Sequence, residues 1–165
     1  MSDFDPVGTI AFFRERHRVE SVTTGSALRA MPPESLSYAP HPASSTAGVT
    51  AWTIIRCLRV CTQLSQSNTA EVSQESHLDH DALVRAFVTE SAKLAEKLLR
   101  LRQREWIEKR SVTSGGHLLL RQPLGQILWL FHVDAIHHRG QISTYLRGLG
   151  AKVPSIYGPS GDSQA

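Results

Sequence analysis

Apolar positions recur at helical spacing in four long segments of this 165-residue chain. In residues 6–31, Ile10, Phe13, His17, Thr24, Leu28 and Met31 share one face, and Pro32-Pro33 ends the pattern. In residues 46–66 the inner stripe is Val49, Thr53, Cys57, Val60 and Leu64, with Ser44, Ser45 or Thr46 as N-cap. The third segment starts after Asp79, a good N-cap, and runs to about Arg104 through Leu83, Phe87, Ser91, Leu94, Leu98 and Leu101. The fourth, residues 124–149, has Pro123 at its opening and Gly150 at its stop. Its stripe is Leu124, Ile127, Leu128, Phe131, Ala135, Ile142, Tyr145 and Leu149. No segment shows convincing strand alternation.

Two long connectors separate these segments. Residues 67–78 are polar, too long for a simple hairpin between helices, and are expected to cross the bundle. Residues 111–121 contain Gly115-Gly116 and read as a flexible link without a nucleotide-binding pattern. The prediction is an all-α four-helix bundle: one domain over residues 1–160 and a disordered tail at 161–165. The run Val153-Pro154-Ser155-Ile156-Tyr157 is too apolar for a free end and is expected to pack back on the bundle.

Composition adds exclusions rather than a function. The net charge is +3, and the arginines are dispersed without a basic run, so no nucleic-acid partner is expected. The start, Met1-Ser2-Asp3-Phe4-Asp5, is acidic and unlike a secretory leader. The longest apolar run, Ile127-Leu128-Trp129-Leu130-Phe131, is too short to span a bilayer, so the expected place is the cytoplasm. Cys57 and Cys61 lie four apart, which suits core thiols better than a redox pair.

The chemistry concentrates in Asp134-Ala135-Ile136-His137-His138-Arg139-Gly140-Gln141. On a helical wheel His138 falls near the centre of the fourth stripe and Asp134 on its flank, one turn away. A buried carboxylate is costly unless paired, hydrogen-bonded or metal-bound. The pair is therefore either a structural Asp–His contact or part of a functional site. His17 lies on the inner stripe of the first helix and is a weak candidate for the same cavity, as is Cys57, one turn past Thr53. His137 and Glu90 read as surface groups, and His132 lies on the flank opposite Asp134. Arg139 reads as solvated, or as a partner for the C-terminal tail or a ligand carboxylate. Gly140, at a cost of roughly 0.5–1 kcal/mol inside a helix, calls for a close approach by another helix or the tail. Trp129, Leu130 and Ile136 give the fourth helix a second apolar surface, for another helix or a dimer partner.

The sequence His138-Arg139-Gly140-Gln141, then Tyr145-Leu146-Arg147, then Val153-Pro154-Ser155-Ile156-Tyr157-Gly158, resembles the DinB-like (damage-inducible) family. So does Trp52-Thr53-Ile54-Ile55-Arg56 in the second helix. That family shares its fold with bacillithiol transferases and mycothiol-dependent maleylpyruvate isomerases. The resemblance implies an up-down-down-up bundle, often dimeric, with a long connection between helices two and three. It also implies a divalent metal held by three histidines, one from helix two and a His-x3-His pair from helix four. By position, His138 matches the second histidine of the pair, Asp134 stands at the first, and Thr53 replaces the helix-two histidine. Carboxylate is a legitimate ligand, whereas threonine is a poor one for zinc or nickel.

Two functional readings follow. One is a metal-dependent thiol transferase or hydrolase with Ni, Zn, Mn or Fe at Asp134 and His138, acting on a small-molecule or thiol substrate. The other is a non-catalytic, stress-related or small-ligand-binding bundle in which the metal site is lost.

Overall fold

The computed structural model describes residues 8–74 and 77–162. Pro6 and Val7 of the expected first helix, Glu75 and Ser76 of the connector, and residues 163–165 of the expected tail lie outside them. Four helices form the body: α1 (Ile10–Arg29), α2 (Ala47–Leu64), α3 (His80–Arg100) and α4 (Leu124–Gly148). Thr9, Thr46 and Asp79 cap the first three, each side chain accepting a backbone N–H from the first turn. The third helix stops earlier than periodicity predicts, because Leu101 turns extended and residues Gln103–Ile107 form a separate 3-10 turn.

The connectors correct the all-α expectation. Residues Thr69–Glu71 (β1), Lys109–Ser114 (β2) and His117–Pro123 (β3) make a small three-stranded sheet in the order β1-β2-β3. β1 runs parallel to β2, and β2 pairs antiparallel with β3. Gly115 and Gly116, at φ 57° and 79°, form the tight turn between β2 and β3. The sheet is anchored by Ala70 and Val112, both buried, and by Arg110, whose guanidinium donates to the Leu64 carbonyl at the end of α2. That contact satisfies one of the carbonyls a helix end leaves open.

The core lies between all four helices. Phe13 meets Trp106, Trp129 and His132 at ring-centroid separations of 5.6, 5.1 and 5.2 Å. Across the bundle, Arg14 of α1 donates to the Leu98 carbonyl of α3 at 2.8 Å. Further along α1, Gly25 faces the Phe87 ring of α3. Cys61 of α2 faces the Leu128 carbonyl of α4, and the Tyr145 hydroxyl donates to the Ser45 carbonyl just ahead of α2. Cys57 and Cys61 are free, buried thiols.

Gly140 does not do what the sequence suggests. A methyl group there would meet nothing within 4 Å, so no close approach explains it. Gly125 is the position where contact forbids a side chain, since a Cβ would overlap the Trp106 indole. Gly125→Ala is therefore expected to destabilise the protein, by about 1–3 kcal/mol as in overpacked cores. Gly140→Ala is expected to raise stability by about 0.5–1 kcal/mol. Urea melts of the two variants check both signs, and a stabilised Gly125→Ala protein would contradict this packing.

Candidate functional site

Two polar centres flank α4. The first is the predicted one. Asp134 and His138 project one turn apart, with Asp134 Oδ1 3.6 Å from His138 Nε2. Their side chains are 45% and 21% exposed, so the pair lines the surface of the bundle rather than the centre of its core. This corrects the wheel, which centred His138. The reason is that α4 packs against α1 and α2 together, and His132, Ala135, Arg139, Ile142 and Leu146 carry its buried line.

The partners of this pair come from α2. The Cys57 thiol donates to Asp134 Oδ2 at 3.4 Å. Burial, then the negative charge of Asp134, pushes the Cys57 thiol above its ordinary range, so it stays protonated. Burial likewise pushes Cys61 up to about 12. Neither thiol is prepared to act as a nucleophile, which requires the thiolate. Thr53 is buried on the same face of α2, but its hydroxyl donates to the Val49 carbonyl of its own helix at 3.0 Å. On the far side, His138 Nδ1–H donates to Gln141 Oε1 at 2.8 Å, which leaves Nε2 as the ring nitrogen facing Asp134. The Gln141 amide donates in turn to exposed His137 at 3.3 Å. Among the described residues, no group of three or more His, Cys, Asp or Glu side chains is arranged to hold a metal ion.

His17 does not join this cluster. It is buried between α1 and α3, its Nε2–H donating to the Ser91 carbonyl at 3.0 Å. Its ring lies 6.3 Å from that of His132. Burial lowers the His17 pKa, and burial followed by the neighbouring His17 pushes His132 down to about 4. His132 Nε2 is buried without a hydrogen-bond partner among the described residues.

The second centre joins Arg139 to the C-terminal tail, the alternative partner its sequence offered, and to Glu20, which the sequence reading did not name. Arg139, expected at the surface, is only 2% exposed and donates to Glu20 Oε2 at 2.5 Å, with Glu20 at 4%. Its other terminal nitrogen donates to the Tyr157 hydroxyl at 2.6 Å, and Tyr157 donates to Glu20 at 2.8 Å. The guanidinium also lies 4.9 Å from the Tyr157 ring centroid. The tail thus packs back as expected, at this point, and Asp162 secures it by pairing with Arg147 at 2.7 Å. Burial opposes the charge on Glu20, but hydrogen bonds from Arg139 and Tyr157 hold its carboxyl below the usual range. Glu90 also departs from expectation, being buried against Arg59 at 3.4 Å and Lys93 at 3.3 Å. A signal for Glu20 existed: it falls in the stripe through Phe13, His17 and Thr24, where an acidic residue needs a partner.

These elements define a mostly helical four-helix protein with a polar site at the α2–α4 junction. The family model described as the DinB family matches residues 4–164, and the chain belongs to that family. It is 25% identical over 159 residues to the protein named uncharacterized protein YrdA of Bacillus subtilis (strain 168), covering 95% of this chain and 93% of that one. Its fold is similar to that of a DinB-like protein from Bacillus cereus ATCC 10987, with TM-score 0.76 and 20% identity, covering 90% and 98% of the two chains. It is also similar to the DinB-like protein YjoA of Bacillus subtilis, with TM-score 0.70 and 17% identity, over 88% and 98%. No helix among the described residues is long and apolar enough to cross a membrane.

Two predictions follow from the second centre and its neighbours. Arg139→Met leaves the buried Glu20 carboxylate only its pair with the partly exposed Arg16 and the Tyr157 hydroxyl, and is expected to cost about 3 kcal/mol, the low end for breaking a buried pair, whereas Glu20→Leu with Arg139→Met together restores most of the loss. Tyr157→Phe removes hydrogen bonds only and is expected to cost about 1 kcal/mol. Chemical denaturation of the three proteins tests this, and an Arg139→Met loss below that of Tyr157→Phe would refute it.

The second prediction concerns pH. Above pH about 6.5, His132 is neutral in both folded and unfolded chains. As the pH falls toward 4, the unfolded chain takes up a proton that the folded one refuses, so stability drops across that window and levels off below it. The loss from His132 alone is of order 3 kcal/mol. His132→Leu is expected to flatten this part of the stability–pH curve, and an unchanged slope would contradict the assignment.

Proposed function

We propose that this chain is a small-ligand-binding member of the DinB family whose α2–α4 site is a side-chain network rather than the seat of a resident metal ion. The observation that carries this reading is the hydrogen bond from the protonated Cys57 thiol to Asp134. It commits one oxygen of the only carboxylate in the cluster to a neutral donor, while Thr53 is committed to its own helix. Asp134 Oδ1 and His138 Nε2 face each other, partly exposed, and offer a polar ligand one acceptor and one ring nitrogen. The up-down-down-up order belongs to the same reading. It is supported by Arg14 against Leu98, Cys61 against Leu128 and Glu20 against Arg139. A stress-related role, a cytoplasmic place and a homodimer rest on the sequence reading and the family resemblance.

One observation favours a second reading, a weakly held ion serving thiol transfer or hydrolysis. Two ligand atoms about 2.1 Å from one ion in tetrahedral arrangement stand about 3.4 Å apart. The Asp134–His138 separation of 3.6 Å is close to that. The Gln141 hydrogen bond also fixes the tautomer a metal would need. Two such ligands do not complete a site, and that tips the balance toward the first reading.

Elemental analysis of untagged protein, as purified and after incubation with Ni2+, Zn2+, Mn2+ and Fe2+, separates the two. The expected result is metal well below one equivalent, unchanged in Asp134→Ala and His138→Ala. Near-stoichiometric metal that disappears in both variants would overturn the proposal and establish the second reading.

A further inference from the structure

An apolar groove lies on the opposite side of the molecule from the α2–α4 network. It runs between α1 and α3 with a volume of about 620 Å³, within the size range of small-molecule pockets. Val22 from α1 and Val88, Ala92, Ala95 and Leu99 from α3 form its walls. Val22, Val88 and Leu99 are exposed large apolar residues, and no other element of the described chain covers them. The α3 residues repeat at four- and three-residue spacing, which makes one continuous stripe. From Ala11 to Val22 the groove follows α1 for about 16 Å at the helical rise per residue.

The polar groups of the floor are already satisfied. Ser91 donates to Ser21 at 2.8 Å, Ser21 donates to the His17 carbonyl at 2.6 Å, and His17 donates to the Ser91 carbonyl at 3.0 Å. An apolar body laid on this floor strands no donor or acceptor, which is the usual penalty for burying polar lining.

The rim supplies the charge. Arg14, Arg18 and Arg29 border the groove against a single carboxylate, Glu15. Glu15 is held by Arg18 Nη2 and Nε, at 2.7 and 2.9 Å, and Arg14 is spent on the Leu98 carbonyl. Arg29, the last residue of α1, has no ion-pair partner among the described residues. Its guanidinium lies beside the Phe87 ring at Gly25, where the apolar wall ends. A second copy of the chain, packed face to face, would set one arginine-bordered rim against another. Charge thus argues against that occupant and for an anion with an apolar tail.

The geometry points to a binding site for an amphipathic monocarboxylate, with the alkyl or aryl body in the α1–α3 groove and the carboxylate on Arg29. This site is independent of Asp134 and His138, so it stands or falls apart from the α2–α4 reading.

Titration calorimetry on the full chain tests it, with decanoate and decan-1-ol as probes and light scattering to record the oligomeric state. Decanoate is expected to bind saturably at one equivalent. Arg29→Gln is expected to weaken decanoate about tenfold, the loss of one charge-assisted hydrogen bond, while changing decan-1-ol less than twofold. Ala92→Trp, at an exposed position, is expected to fill the groove and remove binding of both. Melting curves check that the variants fold. The proposal is overturned if decanoate does not saturate the wild-type protein, or if Arg29→Gln weakens both probes equally. It is equally overturned if Asp134→Ala, rather than Ala92→Trp, removes binding, or if the chain is a dimer that Leu99→Glu dissociates.

Discussion

Arg139 is the bulkiest fully buried side chain among the described residues, and its charge has to be met inside the bundle. Glu20 meets it from α1 and Tyr157 from the tail. A guanidinium delivers its donors in a fixed planar fork, so both partners must be in place together. This sets the rotation of α4. With Arg139 turned toward α1, His132 and Ala135 follow it inward. Asp134 and His138, on the other flank, are left at the edge facing α2. The exposure of the candidate site is thus a consequence of an ion pair on the opposite side of the same helix.

That dependence also explains which parts of the molecule were legible in the sequence. The helices were, because their cores follow simple periodicity: Leu83, Phe87, Ser91, Leu94 and Leu98 are buried as spaced. Thr46 and Asp79 act as caps for the same local reason. The sheet was not. Its strands are short, and β1 pairs with β2 across some forty residues, including the whole of α3, so no local pattern announces them. The Gly115-Gly116 hairpin did carry a signal, two residues that take positive φ between runs rich in Val, Thr, Ser and Leu. Its weight was lost because β3 has largely exposed side chains and no clean alternation.

The site was legible in composition and not in depth. Asp134, His138 and Cys57 do come together, as the spacing on α2 and α4 allowed. Burial was misjudged because a wheel drawn from apolar residues alone cannot count a buried Arg139, nor a His132 packed against Phe13 and Trp129. Treating those polar positions as solvent-facing moved the apparent centre of the stripe toward His138. Glu20 escaped for the same reason, an acidic residue in an otherwise apolar line of α1.

The replacement of a histidine position by Asp134 has a physical consequence beyond the loss of one imidazole. A neutral imidazole offers one lone pair and one N–H. A carboxylate offers two oxygens and attracts any donor within reach. Here Cys57, one turn along α2 from Thr53, is within reach, and its thiol becomes harder to ionise through burial first and then because Asp134 is beside it. The thiol is therefore held protonated, the state least suited to gripping a soft metal, which needs the thiolate. An ion that recruited Cys57 as a further ligand would have to expel its proton against burial and against the charge of Asp134. A hydrogen-bonding ligand meets no such demand, and that difference favours recognition by side chains at this junction.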